Sequence, residues 1–546
     1  MPDWFEKRTF GSLPDEMALR HGHREALYFQ GQRWSFAQVA AEIDRVAKGL
    51  MQLGVQPGEK VGLWVTNRPE WLFCMYAVFK IGAVLVPINT RLRTEDIRYI
   101  LSQSNSGTLV TVERSGPVNY FEMVQELLPE LAGAKERVLR SQDFPDLRRV
   151  IVSGAQRFAG TFAWDELLQG GTAIDDAALA RRAAAVAPDD TAFIMYTSGT
   201  TGFPKGVMRN HNLVRNVTDQ ANRMAITPRD VLLNNLPLFH VFSLTNCALM
   251  SMLTGARQVL TEAFDAEESL DLIAQERVTY LQGVDTQFQD LVLAQGRRPR
   301  DLSSIRTGIF AAGMASSTPV AYQADEAIGP MLSAFGMTEC GVGASLSFLT
   351  DSAEQRCEAS GYPLPGYTFR VLDPETGREQ PAGTPGELQV SGYAVMQGYY
   401  NKPEETAKAV DAQGWLHTGD MAVIRADGHI RFMGRYKDML RTGGENVDPM
   451  EVEGFLLQHP GVHQAAVVGY PDRRLVEVGV AFIQRKPGQA VSEAELLDYC
   501  RGKIASYKIP RHVMFVDAFP MTGSGKIQKV KLRAAALERL PPPATG

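Results

Sequence analysis

The chain has 546 residues, of which 22% are charged, and a formal net charge of -6. A single hydrophobic core does not extend over so long a chain, so two or more subdomains are expected. The composition is that of a globular enzyme, and the slight acidity excludes bulk attraction to nucleic acid or to an anionic membrane.

The cysteines and the N-terminal residues favour a cytoplasmic protein. The five cysteines are odd in number and form no Cys-x-x-Cys pair, which predicts buried thiols in a reducing compartment, without disulfides or a zinc site. Residues 1–10 lack the apolar core of a secretory signal. The apolar stretches 71–88 and 236–256 approach membrane-spanning length, but Lys80 and His240 interrupt them, so both are predicted to be buried core.

The first clear element is an amphipathic helix. It begins at Phe36 after a capping box formed by Ser35 and Gln38, and it stops at Gly54. A strand, a helix and a strand follow at 61–65, 69–80 and 83–88 and predict a βαβ unit. Similar alternation continues to about residue 311 and predicts layered α/β architecture with largely parallel sheets.

Glycine and proline become dense after about residue 355, which predicts a small antiparallel or barrel-like subdomain over 355–435. One hairpin in it has Asp427-Gly428 as a two-residue turn. With that turn, Asp420 and Arg435 face each other across the two strands. From about 438 to 546 a helix start near Asp448, two strands and a capped helix from Ser492 predict a separate, small α+β domain.

The segment 196–206, YTSGTTGFPKG, is a glycine- and hydroxyl-rich loop that follows an apolar run. Glycines let backbone N–H groups point at an anion, and the hydroxyls add donors beside Lys205. The loop therefore predicts a nucleotide triphosphate site, with a flexible surface loop as the alternative. It differs from a Walker A loop because Lys205 is followed by Gly206 rather than by Ser or Thr, so an ordinary P-loop ATPase is disfavoured.

Seven segments together resemble the adenylate-forming superfamily, specifically its acyl-CoA synthetases. They are YTSGTTGFPKGV (196–207), LPLFHVF (236–242), FGMTE (335–339), GYYNKPEET (398–406), WLHTGD (415–420), GRYKDMLRTGGENVDPMEVE (434–453) and PMTGSGKIQK (520–529). The resemblance covers essentially the full length. It implies a large AMP- and acyl-binding domain over 1–435, a hinge at 436–437 and a mobile C-terminal domain over 438–546.

The resemblance also implies a set of ATP-binding residues. Those at the triphosphate are Thr197, Ser198, Gly199, Thr200, Thr201, Gly202, Lys205 and Thr338. Those at the adenosine are Ala312, Gly313, Phe335, Gly336, Asp420 and Arg435, of which Asp420 accepts the ribose hydroxyls and Phe335 stands where the family usually has an adenine-stacking tyrosine. Glu339 is the implied ligand of Mg²⁺, a hard ion that takes oxygen ligands, and a solvated loop carboxylate is the alternative.

The C-terminal motifs imply the catalytic lysine and the hinge. Lys526 bridges the attacking carboxylate and the α-phosphate during adenylation, where its charge stabilises the transition state. Lys437 marks the hinge about which the small domain alternates between adenylation and thioester formation. In the second pose Gly443, Gly444 and Glu445 lie beside the pantetheine tunnel of CoA.

The acyl site is the least specified part of the resemblance. His240 is placed beside the acyl carboxylate and the thiol entrance as a catalytic residue, and a core histidine is the alternative. The pocket is expected to be lined from 240–246, 283–288 and 311–343. Residues 283–286 are Gly-Val-Asp-Thr, whereas the family more commonly has Gly-Val-Pro-Thr. Asp285 therefore stands in place of a proline, which leaves the shape of the pocket open.

We therefore expect an ATP-dependent carboxylic acid:CoA ligase that uses ATP, Mg²⁺ and CoA and acts through an acyl-adenylate. Medium- or long-chain fatty acids are the leading substrates, and aryl or alicyclic acids are alternatives, since the motifs specify the reaction rather than the acid. An adenylation enzyme that loads a carrier protein is a second hypothesis, and a silent acyl- or nucleotide-binding protein is a third. A homodimer is possible.

Overall fold

The computed structural model describes residues 5–134, 137–197, 203–312, 317–373, 376–435, 440–447, 449–520, 527 and 529–541. Within these ranges only the backbone is described at 285, 286, 434, 435, 446, 450 and 530. The chain divides into two compact units. The first comprises 1–90, 100–196 and 206–434, and the second comprises 91–99, 197–205 and 435–546.

Strands and helices alternate along most of the chain. The described strands are β1 (Glu25–Phe29), β2 (Gln32–Ser35), β3 (Lys60–Trp64), β4 (Val84–Pro87), β5 (Ser106–Val112), β6 (Arg114–Ser115), β7 (Val118–Asn119), β8 (Arg149–Ser153), β9 (Phe162–Ala163), β10 (Thr191–Thr197), β11 (Lys205–Asn210), β12 (Val231–Asn234), β13 (Arg257–Leu260), β14 (Tyr280–Gly283), β15 (Thr307–Phe310), β16 (Leu332–Met337), β17 (Gly341–Leu346), β18 (Tyr362–Pro363), β19 (Tyr367–Leu372), β20 (Gly386–Gly392), β21 (Gly398–Tyr399), β22 (Leu416–Ile424), β23 (Ile430–Arg435), β24 (Leu440–Thr442), β25 (Glu445–Val447), β26 (Val462–Asp472), β27 (Val476–Arg485) and β28 (His512–Phe515).

The described helices are α1 (Leu13–His21), α2 (Phe36–Gln52), α3 (Pro69–Lys80), α4 (Thr94–Gln103), α5 (Tyr120–Leu127), α6 (Trp164–Gly170), α7 (Asp176–Ala184), α8 (Leu213–Arg223), α9 (Val241–Ser243), α10 (Met250–Thr254), α11 (Ala266–Glu276), α12 (Asp285–Arg297), α13 (Thr318–Ala327), α14 (Ala353–Glu358), α15 (Pro403–Ala409), α16 (Pro449–Leu456), α17 (Glu493–Cys500) and α18 (Lys529–Arg539). Short 3-10 helices lie at Phe10–Ser12, Pro129–Gly133 and Gly171–Ala173, and a π-helix at Leu244–Leu249 joins α9 to α10.

The first unit contains an eight-stranded sheet in the order β21-β11-β10-β4-β3-β5-β8-β9. Strands β3 and β4 pair in parallel on either side of α3, which confirms the predicted βαβ unit. The predicted capping box is present, because Gln38 N–H donates to Ser35 Oγ at 3.2 Å and Ser35 N–H donates to Gln38 Oε1 at 2.8 Å. All twelve residues of α3 except Glu70 are buried, so this apolar stretch is core as predicted.

A second sheet of the first unit has nine strands in the order β18-β17-β16-β15-β14-β12-β13-β1-β2. Its central pairs are parallel, from β1·β13 through β15·β16, while antiparallel pairs close both ends. One face packs against an apolar cluster from α11, α12 and α13. The predicted layered α/β architecture with largely parallel sheets is therefore confirmed.

The region after residue 355 forms a four-stranded antiparallel sheet, β19-β20-β22-β23. The predicted two-residue turn in it is wrong. Arg425 N–H donates to His429 O at 2.8 Å, and Gly428 N–H donates to Arg425 O at 2.9 Å. Three residues, 426–428, thus form the loop, with Gly428 left-handed at φ 82°. The extra residue shifts the register at the turn by one residue from the one predicted.

The second unit contains a five-stranded sheet of β24 to β28, in which β28 pairs with β27 in parallel. The predicted helices near Asp448 and Ser492 are α16 and α17, and Ser492 forms a capping box with Glu495. The two predicted strands are β26 and β27, which have 11 and 10 residues and pair as far as Asp472–Val476.

Two other sequence predictions concern thiols and membrane spans. All five cysteines are buried and none forms a disulfide, as predicted. In the described part of the chain, no helix is both long and apolar enough to cross a lipid bilayer.

Candidate active site

The predicted phosphate-binding loop lies between β10 and β11. Thr197 is the last residue of β10, and Lys205 is the first residue of β11 and is 8% exposed. A mostly buried strand thus precedes the loop and another follows it. Ser198, Gly199, Thr200, Thr201 and Gly202 lie outside the described residues.

Glu339 is buried and held from three directions. Its backbone carbonyl accepts hydrogen bonds from Arg209 Nη1 at 2.9 Å and from Met396 N–H at 2.7 Å. Its side-chain Oε1 accepts a hydrogen bond from the hydroxyl of Tyr399 at 3.0 Å. The carboxylate is 7% exposed, so it is pre-oriented rather than a solvated loop residue. Thr338, next to it, is half-buried.

Arg209 and Gly336 support this segment. Arg209 is fully buried in β11, and Nη2 donates to the carbonyl of Ala394 at 2.6 Å. A Cβ at Gly336 would lie 2.4 Å from the backbone nitrogen of Gly343 on the neighbouring strand β17. Position 336 of FGMTE therefore requires glycine, because two backbones approach there too closely for a side chain.

Two adenine-site candidates, Ala312 and Phe335, are linked by serines. Ser360 Oγ donates to the carbonyl of Ala312 at 2.7 Å, and its own carbonyl accepts from Ser345 Oγ at 2.5 Å. Ser345 Oγ also accepts from Phe335 N–H at 3.2 Å. The ring of Phe335 is 6.1 Å from that of Phe432 and the residue is buried, so this position is an aromatic core contact.

Asp420 is 3% exposed on β22 and its backbone N–H donates to Thr418 Oγ1 at 3.1 Å. The pKa of the Cys340 thiol is raised to about 12, mainly by burial, and the charges of Glu339 and Asp420 are smaller contributions in the same direction. Both carboxylates therefore lie within electrostatic range of Cys340. Only the backbone of Arg435 is among the described parts of the structure, so the predicted Asp420–Arg435 pair stays a prediction.

His240 immediately precedes a continuous helical segment over 241–254. Its carbonyl accepts from Leu244 N–H at 3.0 Å, and its ring lies 4.6 Å from that of Phe239. The segment contains the π-helical turn 244–249, a deviation that often marks a functional site. His240 is half-buried, so it is not a fully enclosed core histidine, and its catalytic role stays a prediction.

Gly443, Gly444 and Glu445 lie in the second unit at the hairpin of β24 and β25. Both glycines are left-handed, with φ of 59° and 83°, as a two-residue hairpin turn requires. The carboxylate of Glu445 is buried and pairs with Arg91 Nη1 at 3.1 Å. Three further predicted residues, Gly313, Lys437 and Lys526, lie outside the described residues.

Three supporting residues were not predicted from the sequence: Arg209, Ser360 and Tyr399. Tyr399 stands inside the quoted motif GYYNKPEET, so its presence was visible while its contact with Glu339, sixty residues earlier, was not. Arg209 and Ser360 have no local signal, because their partners are backbone carbonyls that are distant in sequence.

Two family models and several relatives match this chain over most of its length. The family model "AMP-binding enzyme" matches residues 15–400, and "AMP-binding enzyme C-terminal domain" matches 451–526. The protein YngI of Bacillus subtilis (strain 168) is 39% identical over 539 residues, 97% of each chain. The medium-chain acyl-CoA ligase ACSF2, mitochondrial, of Rattus norvegicus is 33% identical over 536 residues, which cover 96% of this chain and 87% of the relative.

The fold also matches solved structures over nearly its whole length. A variant of the o-succinylbenzoate CoA synthetase MenE of Bacillus subtilis, bound to the product analogue OSB-NCoA, superposes with a TM-score of 0.79. The two sequences are 27% identical, and the match covers 96% of this chain and 98% of that structure.

The chain belongs to the AMP-binding enzyme family of the adenylate-forming superfamily. Within that superfamily it is an acyl-CoA synthetase, an AMP-forming acid–thiol ligase. Enzymes of this kind use ATP and CoA as co-substrates.

Proposed function

We propose that the protein activates a medium- or long-chain fatty acid as its CoA thioester in two steps. In the first, a carboxylate oxygen attacks the α-phosphorus of ATP, which yields acyl-AMP and pyrophosphate. In the second, the thiol of CoA attacks the acyl carbonyl, which yields acyl-CoA and releases AMP. The similarity to a relative named as a medium-chain acyl-CoA ligase supports this choice of acid.

The observation that carries the proposal is the fixed carboxylate of Glu339. A carboxylate that is buried, anchored through its backbone and hydrogen-bonded by Tyr399 presents oxygen ligands in a defined direction. Such a donor fits Mg²⁺, which takes one or two protein carboxylates together with phosphate oxygens. A bound Mg²⁺ would offset phosphate charge as the carboxylate approaches.

The remaining residues act on binding and orientation. Thr197 and Lys205, with the loop residues between them, would bind the triphosphate, and Asp420 would accept the ribose hydroxyls. Lys526 would stabilise the charge shared by the attacking carboxylate and the α-phosphate. Movement about the hinge at Lys437 would then withdraw Lys526 and bring the segment 443–445 to the site. Such a closure would exclude water from the acyl-adenylate, which is readily hydrolysed.

An aryl acid is the second candidate for the substrate. The structure superposes well on MenE, whose name specifies o-succinylbenzoate, an aromatic acid. The reaction would be the same and only the contents of the acyl pocket would differ. A carrier protein in place of CoA is the remaining alternative acceptor.

A panel of carboxylic acids tests the proposal. The purified protein is incubated with ATP, Mg²⁺ and C6 to C18 fatty acids, benzoate or cyclohexanecarboxylate, with and without free CoA. Pyrophosphate and AMP are measured separately. We expect CoA-dependent AMP formation that is fastest with a fatty acid. Fastest turnover of benzoate would favour the aryl alternative, and pyrophosphate release that CoA does not accelerate would favour a carrier protein.

A further inference from the structure

The nine-stranded sheet has two faces of different character. Leu233, Val259 and Leu281 occupy one face, on the neighbouring strands β12, β13 and β14, and they pack into the apolar cluster with α11, α12 and α13. Successive residues of a strand point to opposite faces. The residues next to these three, Asn234, Gln258 and Gln282, therefore lie on the other face.

The other face is buried as well, yet it is polar. Gln258 lies in a row with Leu232, Tyr280 and Thr307 by the strand register. Two residues further along the strands, Asn234 lies in a row with Leu260, Gln282 and Ile309. The four polar side chains Asn234, Gln258, Gln282 and Thr307 are between 0% and 3% exposed.

The helical segment 241–254 covers this face. Ser243 Oγ donates to Asn234 Oδ1 at 2.7 Å, and Ser251 Oγ donates to Gln258 Oε1 at 3.1 Å. The segment is the one that begins directly after His240 and contains the π-helical turn. It follows that the polar face and this segment enclose a common layer inside the first unit.

The amide oxygens in this layer are satisfied but the amide nitrogens are not. Gln282 Oε1 accepts from the hydroxyl of Tyr280 at 3.2 Å. Within the described part of the chain, Asn234 Nδ2, Gln258 Nε2, Gln282 Nε2 and Thr307 Oγ1 have no hydrogen-bond partner. Buried polar groups are normally hydrogen-bonded, so four orphans on one face indicate a bound group, either water or a ligand, that accepts hydrogen bonds.

The position of two of these orphans points to the substrate. Asn234 is the last residue of β12 and Gln282 is the last but one of β14, so both lie at the carboxyl ends of adjacent parallel strands. Ligands of open α/β sheets bind outside this edge. The segment 241–254, which His240 precedes, closes the layer on its second side.

We propose that Asn234 and Gln282 are specificity-determining residues that donate hydrogen bonds to a neutral oxygen on the acyl chain of the substrate. The favoured acids would then carry a hydroxyl, oxo or ether oxygen, in preference to a plain hydrocarbon chain. The two rows of this face contain no lysine or arginine, so a second carboxylate would be a buried, unpaired charge and is disfavoured. This inference rests on the proposed function and names the class of acid for the same site.

The test compares acids that differ only in one oxygen. Decanoate is compared with oxodecanoates and hydroxydecanoates that carry the oxygen at C4 to C9, and kcat/KM is measured by pyrophosphate release. For the natural sequence we expect at least one oxygenated acid to be preferred over decanoate by about tenfold, because a buried donor is left unpaired by the plain chain.

Substitutions locate the effect. Gln282→Leu and Asn234→Leu remove the donors at similar volume, and each should abolish most of that preference. Gln258→Leu is the matched control: it removes an orphan amide from the same face, one row further from the strand ends, and should leave the preference unchanged. The ratio of two acids on one sample does not depend on the folded fraction, so a loss of stability does not obscure the result.

Two outcomes would overturn the inference. The natural sequence could prefer decanoate over every oxygenated acid, or Gln282→Leu and Asn234→Leu could both leave the ratio unaltered. In either case the orphan amides would hold ordered water only. Either result would leave the ligase proposal intact if acyl-AMP still forms. Absence of pyrophosphate release with every acid would count against the proposed function itself, and the acid preference would then be measured by calorimetric binding.

Discussion

The hydroxyl of Tyr399 donates a hydrogen bond to Oε1 of Glu339 at 3.0 Å, inside the first unit. The two residues are sixty positions apart and belong to two different sequence motifs. Arg209 fixes the backbone of Glu339 from a third segment. The carboxylate that we propose as the metal ligand is therefore oriented by a tyrosine from a distant segment of the chain.

Replacing Tyr399 by phenylalanine should weaken the dependence on Mg²⁺. Loss of a residue that orients a metal-ligating carboxylate typically costs about tenfold in metal affinity. We therefore expect the Mg²⁺ concentration at half-maximal adenylation to rise by about that factor, with a smaller change in the maximal rate. Mn²⁺ binding in the presence of a nonhydrolysable ATP analogue, followed by electron paramagnetic resonance, should show the same shift.

Tyr400→Phe is the control for this variant. The neighbouring tyrosine donates its hydroxyl to Asn105 Oδ1 at 3.2 Å and not to Glu339. Its substitution should leave the Mg²⁺ dependence unchanged. Equal shifts for the two variants, or none for Tyr399→Phe, would rule out the orienting role.

Replacing Lys526 by alanine should separate the two half-reactions. Because the lysine is proposed to stabilise charge only during attack on the α-phosphorus, pyrophosphate release should fall by more than about a hundredfold. Thioester formation from preformed acyl-AMP and CoA should remain within about a factor of three of the natural rate. Lys531→Ala, at an exposed position on α18, is the control. A similar loss of both half-reactions would contradict the assignment.

His211 makes the first unit sensitive to acid. It is 1% exposed, and its Nδ1 accepts a hydrogen bond from Phe10 N–H at 3.1 Å. Burial lowers the pKa of His211 to about 4, against a smaller raising effect of Asp190. In the unfolded chain the imidazole takes up its proton near pH 6.5. The unfolded state therefore binds more protons between these values, and stability is lost as the pH falls from 6.5 toward 4.

The loss attributable to His211 should reach about 2 kcal/mol at pH 5. The measurement is the melting temperature between pH 7.5 and 5 for the natural protein and for His211→Gln. The variant should melt lower at pH 7.5, because a buried contact is altered, but its melting temperature should fall less steeply on acidification. Parallel curves would show that this histidine does not titrate as its burial requires.

The five cysteines should be unreactive in the folded protein. Burial raises the pKa of Cys74 and Cys340 to about 12 and that of Cys357 and Cys500 to about 11, and it raises that of Cys247 as well. At pH 8 the reactive thiolate is thus a fraction of about one in a thousand or less. Ellman's reagent should label fewer than one thiol per chain within minutes, and five after denaturation. Rapid labelling of one or more native thiols would contradict this burial.

The sequence alone determined the elements whose signals are local. Two helices, α2 and α17, begin directly after capping boxes that the sequence shows, at Ser35 and at Ser492. These signals are local because a cap and its partner are three residues apart. The parallel sheets followed from the alternation of strands and helices. Seven ordered motifs gave the superfamily and named the candidate residues, since the chemistry of adenylation restricts which side chains can serve.

Only the tertiary structure decided how those residues are supported. An Asp-Gly pair is compatible with a two-residue turn and with a three-residue loop, so the register at Gly428 depended on the strands that the loop joins. The contact of Tyr399 with Glu339 and the orphan amides of Asn234 and Gln282 are nonlocal as well. Hydrogen bonds between distant segments and the choice of sheet face arise only when strands pair and layers pack, and for this reason no window of the sequence contains them.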